Sequence, residues 1–295
     1  MDLLKQTLEL CKIYDIKPEK SKGQNFLVNE DVYDQVISCA NLEKDDVVLE
    51  VGPGLGILTF KMSKLVKKVL AVELDEKLAE VLNTLIISKE IKNIKIFNND
   101  VLKIKGDNVS KLGKYKIVAN LPYNITSIFL RKFLTIANKP ELIVLLLQKE
   151  VVERIISKPP KMSLLSISVQ FYADAEIIAE VSKNNFYPAP QVESAIIRIK
   201  PRPFCRSGKE NKPVFNNYED EKRFFRLLKY GFSAKRKMLK NNLSSALNIE
   251  QAKIEEILRF LNLDLKCRAE QLSIDNWLDI FEKIDPILSS RLNEE

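Results

Sequence analysis

The sequence predicts a two-part chain: an α/β domain built on a mainly parallel sheet, then a small all-α domain. Three observations predict it. Between Val47 and Lys200, short β-branched runs alternate with segments of helical periodicity, the pattern of strands joined by crossover helices. The run Lys200-Pro201-Arg202-Pro203 breaks that pattern. Beyond it only helical periodicity remains. The expected domains are 1–202, with an N-terminal helical extension, and 203–295.

Taken in order, Met1 to Tyr14 sets Leu3, Leu4, Leu8 and Ile13 among charged residues. That is a short amphipathic helix, without the shape of a signal peptide. Strands are expected at Val47–Val51, Val69–Glu73, Ile94–Asn98, Lys116–Asn120, Leu142–Leu147, Glu176–Val181 and Ala195–Lys200. Helical spacing marks Ile57–Leu65, Glu76–Leu85, Ser127–Ile136 and Lys149–Ile156, with Asp75 and Thr126 as expected N-caps. Ser163–Tyr172 fits a helix or a strand, and we read it as a helix. Asp220–Phe232, Ala234–Leu247, Ile249–Leu261 and Ile274–Ile284 complete the second domain.

Composition narrows the chemistry. A chain of 295 residues with 45% hydrophobic content can bury one large core and a smaller one. It has no histidine. Triads and acid/base steps that use imidazole are excluded, and no metal site is expected. Cys11, Cys39, Cys205 and Cys267 are scattered without a C-x-x-C pair, as free thiols in a reducing compartment would be. The longest apolar run, Leu142–Leu147, is too short to cross a bilayer. A soluble, cytoplasmic monomer is expected.

Charge is unevenly spread. Lys and Arg number 47 against 40 Asp and Glu, for a net +7. Pro201 to Leu247 alone carries twelve basic and four acidic residues, a local +8, so the rest of the chain sums to −1. A charge run is ordinarily a solvated helix face. Concentrating the whole imbalance in one segment favours a phosphate-binding surface instead.

Glu50-Val51-Gly52-Pro53-Gly54-Leu55-Gly56 follows the first strand and opens a helix. Glycines there permit a tight turn and close approach of a ligand to the main chain. A Gly-rich turn alone is weak evidence, and the G-x-G-x-G spacing differs from that of nicotinamide enzymes. Glu73 strengthens it, because a carboxylate ending the second strand can accept from both ribose hydroxyls. Asp100, after the third strand, can accept from an adenine amine. Three such features at consecutive strand ends predict a nucleoside cofactor.

After the fourth strand comes Asn120-Leu121-Pro122-Tyr123. Adenine N6 is a poor nucleophile, because its lone pair is delocalised into the ring. Methylating it requires acceptors that hold the N–H groups and draw the nitrogen toward tetrahedral geometry. Pro122 biases Leu121 to an extended conformation that presents its carbonyl beside the Asn120 amide oxygen. Tyr123 offers a flat face for a flipped-out base. The competing reading is an Asn-Pro turn with a core tyrosine.

With these motifs the chain resembles the small-subunit ribosomal RNA adenine dimethyltransferase family (KsgA), whose relatives include the Erm enzymes of the large subunit. Further motifs carrying the resemblance are Gly23-Gln24-Asn25-Phe26-Leu27, Gln148-Lys149-Glu150-Val151 and Phe186-Tyr187-Pro188-Ala189-Pro190-Gln191-Val192-Glu193-Ser194. Lys235-Arg236-Lys237-Met238-Leu239-Lys240-Asn241-Asn242-Leu243 and Arg268-Ala269-Glu270-Gln271-Leu272 extend it to nearly the whole length. The resemblance implies a Rossmann-like class I methyltransferase fold and S-adenosylmethionine as cofactor. It puts cofactor contacts on Asn25, Leu27, Gly52, Gly54, Glu73, Asp100 and Asn120. It puts the acceptor pocket on Asn120, Leu121 and Tyr123, with Phe186 closing the other face of the base.

The partner so implied is 16S ribosomal RNA within a small-subunit precursor, and Lys235, Arg236, Lys237 and Lys240 are the RNA-binding candidates. One departure stands out. Met162-Ser163 precedes Leu164 where the family usually has Tyr-Gly. The alternatives are an Erm-like enzyme acting on large-subunit RNA and a ribosome-assembly factor whose main task is binding.

Overall fold

The computed structural model describes residues 2–19, 23–122, 125–202, 206–207, 210–213, 215 and 218–292. They form two compact units, Met1–Glu153 with Ala173–Pro201, and Arg154–Tyr172 with Arg202–Glu295.

The first unit opens with α1 (Leu3–Ile13), β1 (Phe26–Leu27), α2 (Glu30–Cys39), β2 (Val47–Val51), α3 (Ile57–Ser63) and β3 (Lys68–Glu73). It continues through α4 (Glu76–Ser88), β4 (Ile94–Asn98), α5 (Gly106–Ser110), β5 (Lys116–Asn120), α6 (Thr126–Thr135), β6 (Leu142–Gln148) and the start of α7 (Lys149–Ile156). After α8 (Leu164–Gln170), part of the second unit, the chain returns as β7 (Ala173–Val181), β8 (Phe186–Tyr187) and β9 (Ser194–Pro201).

Seven strands form one sheet in the order β4-β3-β2-β5-β6-β9-β7. The first five are parallel. β9 runs antiparallel to both β6 and β7, so the sheet is mainly but not wholly parallel. The reason is the link between β7 and β9. No crossover helix joins β7 to β9, so the second must return against the first. Ile143 to Leu147 of β6 are buried on both faces, the mark of a covered central strand. β7, at the edge, alternates exposed and half-buried residues along most of its length.

Local chemistry sets the helix starts. Asp75 caps α4, its side chain accepting from Leu78 N–H at 3.2 Å. Thr126 is not a cap. Ile125 holds that position, its N–H donating to the Pro122 carbonyl at 3.4 Å, and Thr126 is the first, buried, residue of α6.

The second unit adds β10 (Arg206–Ser207), β11 (Glu210–Pro213), α9 (Tyr218–Gly231), α10 (Leu239–Leu247), α11 (Gln251–Phe260) and α12 (Ile274–Leu292) to α8. It also claims 154–172, which the sequence assigns to the first domain. Aromatic packing explains this. The Phe171 ring lies 5.4 Å from Phe224 and 5.8 Å from Phe215, and Tyr172 stacks on Phe225 at 5.6 Å. The Tyr172 hydroxyl donates to Glu221 at 2.6 Å. Met162 N–H donates to the Glu270 carbonyl at 2.9 Å, so the Arg268–Leu272 motif is a structural joint within this unit.

The Met162-Ser163 departure has a local role. Ser163 caps α8 through a capping box with Ser166. The helix expected over Ala234–Leu247 begins only at Leu239. Ahead of it, the buried Asn242 amide donates to the Gly231 and Ala234 carbonyls at 2.7 and 3.1 Å, holding Ala234–Met238 as a turn. Among the described residues, no helix is long and apolar enough to cross a membrane.

Candidate functional site

The site begins at the turn between β2 and α3. Gly52, Gly54 and Gly56 all have positive φ, at 67°, 56° and 80°. Gly56 is held there twice over, since a Cβ would also lie 2.2 Å from Leu82 Cδ1. At Gly54 a Cβ would meet the Phe26 ring at 3.1 Å.

Glu73 ends β3 and is 7% exposed. Its Oε2 accepts from Gly54 N–H at 3.1 Å and its Oε1 from Asp75 N–H at 3.0 Å. Both oxygens are thereby oriented, and each keeps a lone pair for a further donor. Burial pushes this carboxyl above its ordinary range, while the two amides pull the other way. Asn98 secures the backbone beside it, its amide donating to the Glu73 and Leu74 carbonyls at 3.0 and 3.3 Å.

Asp100 caps a single 3₁₀ turn, Val101–Lys103, accepting from Leu102 N–H at 2.8 Å. The turn is fastened from behind by Lys132 of α6. Its ammonium donates to the Val101, Leu102 and Ile104 carbonyls at 3.1, 2.7 and 2.5 Å. Burial lowers the Lys132 pKa and the Asp100 charge opposes that. A cation on carbonyls at the end of a turn is favourable on dipole grounds.

Asn120 ends β5. Its Nδ2 donates to the Asn25 carbonyl at 3.4 Å, which leaves Oδ1 as the atom that can accept. Leu121 is buried and anchors the segment. A Cβ on Gly52 would come within 3.6 Å of the Asn120 carbonyl oxygen, so glycine turn and acceptor segment run side by side. Tyr123 lies outside the described residues.

These residues surround one cavity of about 920 Å³, a size suited to a small-molecule ligand. Asn25, Leu27, Gly52, Gly54, Glu73, Asp100, Asn120 and Leu121 all line it. Leu74, Val101 and Glu50 line it too, and sequence reasoning does not pick them out. Leu74 carries a usable signal, an apolar residue directly after the strand-ending carboxylate. At 73% exposed, it offers an apolar face to a ligand. Phe186 does not line the cavity. It is 4% exposed, pairs with Leu27 across the β1–β8 ladder and packs in the core with Tyr33 and Ile196. Among the described residues, no group of three His, Cys, Asp or Glu gathers as a metal site.

The basic candidates divide. Lys235, Arg236 and Lys237 are exposed on the turn before α10. Lys240 is half-buried and paired with Glu255 at 2.7 Å, so its charge is already answered within the protein.

Comparison with known proteins follows the same lines. A family profile described as ribosomal RNA adenine dimethylase matches residues 16–286. The chain is 38% identical over 281 residues to a ribosomal RNA small subunit methyltransferase A of Dehalococcoides mccartyi, covering 93% of this chain and 91% of that protein. It is 36% identical over 291 residues to the protein of that name from Clostridioides difficile, covering 97% of each. Among solved structures, a dimethyladenosine transferase from Plasmodium falciparum is similar with a TM-score of 0.71 at 23% identity, over 88% of this chain and 98% of that one. The 23S rRNA methyltransferase ErmE is similar with a TM-score of 0.66 at 23% identity, over 88% of this chain and 100% of that one.

Proposed function

The chain belongs to the ribosomal RNA adenine dimethylase family, and on that premise we propose that it dimethylates the N6 amine of two adjacent adenosines in the loop of the 3′-terminal hairpin of 16S ribosomal RNA. It is an S-adenosylmethionine-dependent enzyme of class I fold. The observation that carries the reading is the gathering of Glu73, Asp100 and Asn120, from three strand ends, around one cavity.

The residues fit the cofactor. S-adenosylmethionine supplies an electrophilic methyl group on a sulfonium centre. Glu73, already oriented by two amides, accepts from the ribose hydroxyls, and Asp100 accepts from the adenine amine. Leu74 and Val101 give the adenine apolar contact, and the Gly52 and Gly54 turn admits the methionine end to the main chain. Asn25 and Leu27 close the site from the N-terminal side.

At the acceptor end, Asn120 Oδ1 and the Leu121 carbonyl accept from the target N–H groups and hold the nitrogen lone pair toward the methyl donor. Tyr123 stacks on one face of the base, and Phe186 closes the other. The amine loses its proton after transfer, so no general base is required, in keeping with a chain without histidine. Lys235, Arg236 and Lys237 bind phosphates, while Lys240 stays with Glu255. The enzyme acts in the cytoplasm and takes part in small-subunit maturation.

A small-subunit target, in preference to an Erm-like one, is supported by relatives at 36–38% identity that carry the small-subunit name. The test is incubation with labelled S-adenosylmethionine and unmodified subunits of each size, followed by mapping of the labelled nucleotides. Label confined to the small subunit is expected, and label in the large one would overturn the assignment. A separate check addresses the cofactor. Glu73→Ala should weaken S-adenosylmethionine binding by roughly 1–3 kcal/mol in calorimetry, because two hydroxyls lose their acceptor. Unchanged affinity would remove Glu73 from the site.

A further inference from the structure

Lys132 lies in the interior of α6, the helix that opens just beyond Asn120-Leu121-Pro122. It is half-buried, with its ammonium 6.0 Å from the centroid of the buried Phe133 ring. The ammonium donates to the carbonyls of Val101, Leu102 and Ile104 at 3.1, 2.7 and 2.5 Å. A lysine has three N–H donors and no acceptor, so these carbonyls take up its whole capacity. None is left over for a phosphate.

The carbonyls belong to the 3₁₀ turn that Asp100 caps and its last flanking residue. A single turn of this kind makes few bonds of its own. Lys103 N–H donates to the Asp100 carbonyl at 2.9 Å, and Ile104 N–H to the Val101 carbonyl at 3.4 Å. Before the turn, Asn99 N–H and the Asn98 amide both tie the chain to the Glu73 carbonyl, at 2.9 and 3.0 Å. At its other end the bonds to Lys132 hold it.

One carboxylate carries the effect to the ligand. Asp100 Oδ1 accepts from Leu102 N–H at 2.8 Å, and the Leu102 carbonyl is one of those that Lys132 grips. The place of Asp100 in the cavity wall thus depends on peptide units that Lys132 fixes. An N–H···O bond spans about 2.7–3.2 Å, so an acceptor displaced by about 1 Å loses it. Apolar contact with a flat ring, such as Leu74 offers, tolerates the same displacement. A loosened turn would therefore lose base discrimination first.

We propose that Lys132, which does not itself line the cavity, is a positioning residue that makes the site selective for adenine by holding the Asp100 turn in place. The inference rests on the cofactor reading above and deepens it.

Calorimetry with S-adenosylhomocysteine and S-inosylhomocysteine tests it, because the second ligand has a carbonyl in place of the adenine amine. Facing that carbonyl, Asp100 has no proton to accept. Wild type should bind the adenine form about tenfold or more tightly. Lys132→Met keeps an unbranched apolar stem and removes the donors. It should bring the ratio down to about threefold or less, chiefly by weakening the adenine form. A purely structural role would lower the melting temperature and leave the ratio at its wild-type value, which would overturn the proposal. So would a wild type that binds both forms equally. In an Asp100→Ala background the discrimination is already gone, and adding Lys132→Met should change neither affinity by more than about twofold. Fully additive losses would put Lys132 on another route and overturn the proposal too. If Lys132→Met does not fold, Lys132→Gln, which keeps two N–H donors, should give an intermediate ratio, and a wild-type ratio there would overturn it. Failure of wild type to bind S-adenosylhomocysteine at all would instead strike the cofactor reading itself.

Discussion

Replacing Asn120 with alanine should lower the methyl-transfer rate by roughly 100-fold or more, the loss typical when one preorganised polar partner of a reacting centre is removed. Asn120 ends a strand whose neighbours on both sides are buried, so its position is rigid. Its Nδ2 is tied to the Asn25 carbonyl at 3.4 Å, which turns Oδ1 into a fixed acceptor. Positive charge grows on the target nitrogen as the methyl group arrives, so that oxygen is worth most in the transition state. RNA affinity should hardly change, because phosphate contacts position the RNA and lie elsewhere. The Asn25 tie will also be lost, so cofactor affinity should weaken modestly. Single-turnover rates must therefore be read at saturating cofactor. A near wild-type rate under those conditions would remove Asn120 from the acceptor site, and with it the reading of Asn120-Leu121-Pro122.

The second large effect is expected on RNA binding. Neutralising Lys235, Arg236 and Lys237 together should reduce the slope of log affinity against log salt by roughly 2–3, since three phosphate contacts would no longer release counterions. The turn that carries them is built to hold them outward. Lys237 N–H closes it on the Ala234 carbonyl at 3.1 Å, and the buried Asn242 amide fastens it to the helix before. Three exposed cations on a braced turn lose little conformational freedom on binding a phosphate chain. Lys240→Gln is the comparison. With its ammonium already on Glu255 at 2.7 Å, its removal should change the slope much less. Cofactor affinity should stay constant throughout. An unchanged slope in the triple variant would reduce this turn to an ordinary solvated surface.

Much of the site is legible in the order of the residues. The turn at Gly52-Pro53-Gly54-Leu55-Gly56 can be read because positive φ at three alternate positions is a demand that only glycine meets easily. Glu73 and Asp100 can be read because each polar residue closely follows a β-branched run, and strand ends in such sheets face the ligand crevice. Glu50 occupies an equally plain position, yet nothing along the chain distinguishes it. Its burial beside Thr59, Tyr33 and Glu73 depends on three other elements that the fold brings to it. Lys132 escapes notice for the same reason. A lysine on an amphipathic helix looks solvated until the carbonyls of Val101, Leu102 and Ile104 are found beneath it.

The sequence by itself determined what depends on neighbours along the chain: strand and helix periodicity, the Asp75 cap, the glycine turn and the polar residues that close the strands. These are set by backbone sterics and by the spacing of apolar side chains, which operate over a few residues. Only the tertiary structure decided how distant segments pair. It set β9 antiparallel to β6 and β7, carried Arg154–Tyr172 into the helical unit through the Phe171 cluster, buried Phe186 against Leu27 and matched Lys240 with Glu255. A charge or a ring has no partner until the fold brings one within a few ångströms. The same lysine is a phosphate ligand or half of an ion pair according to what α11 places beside it.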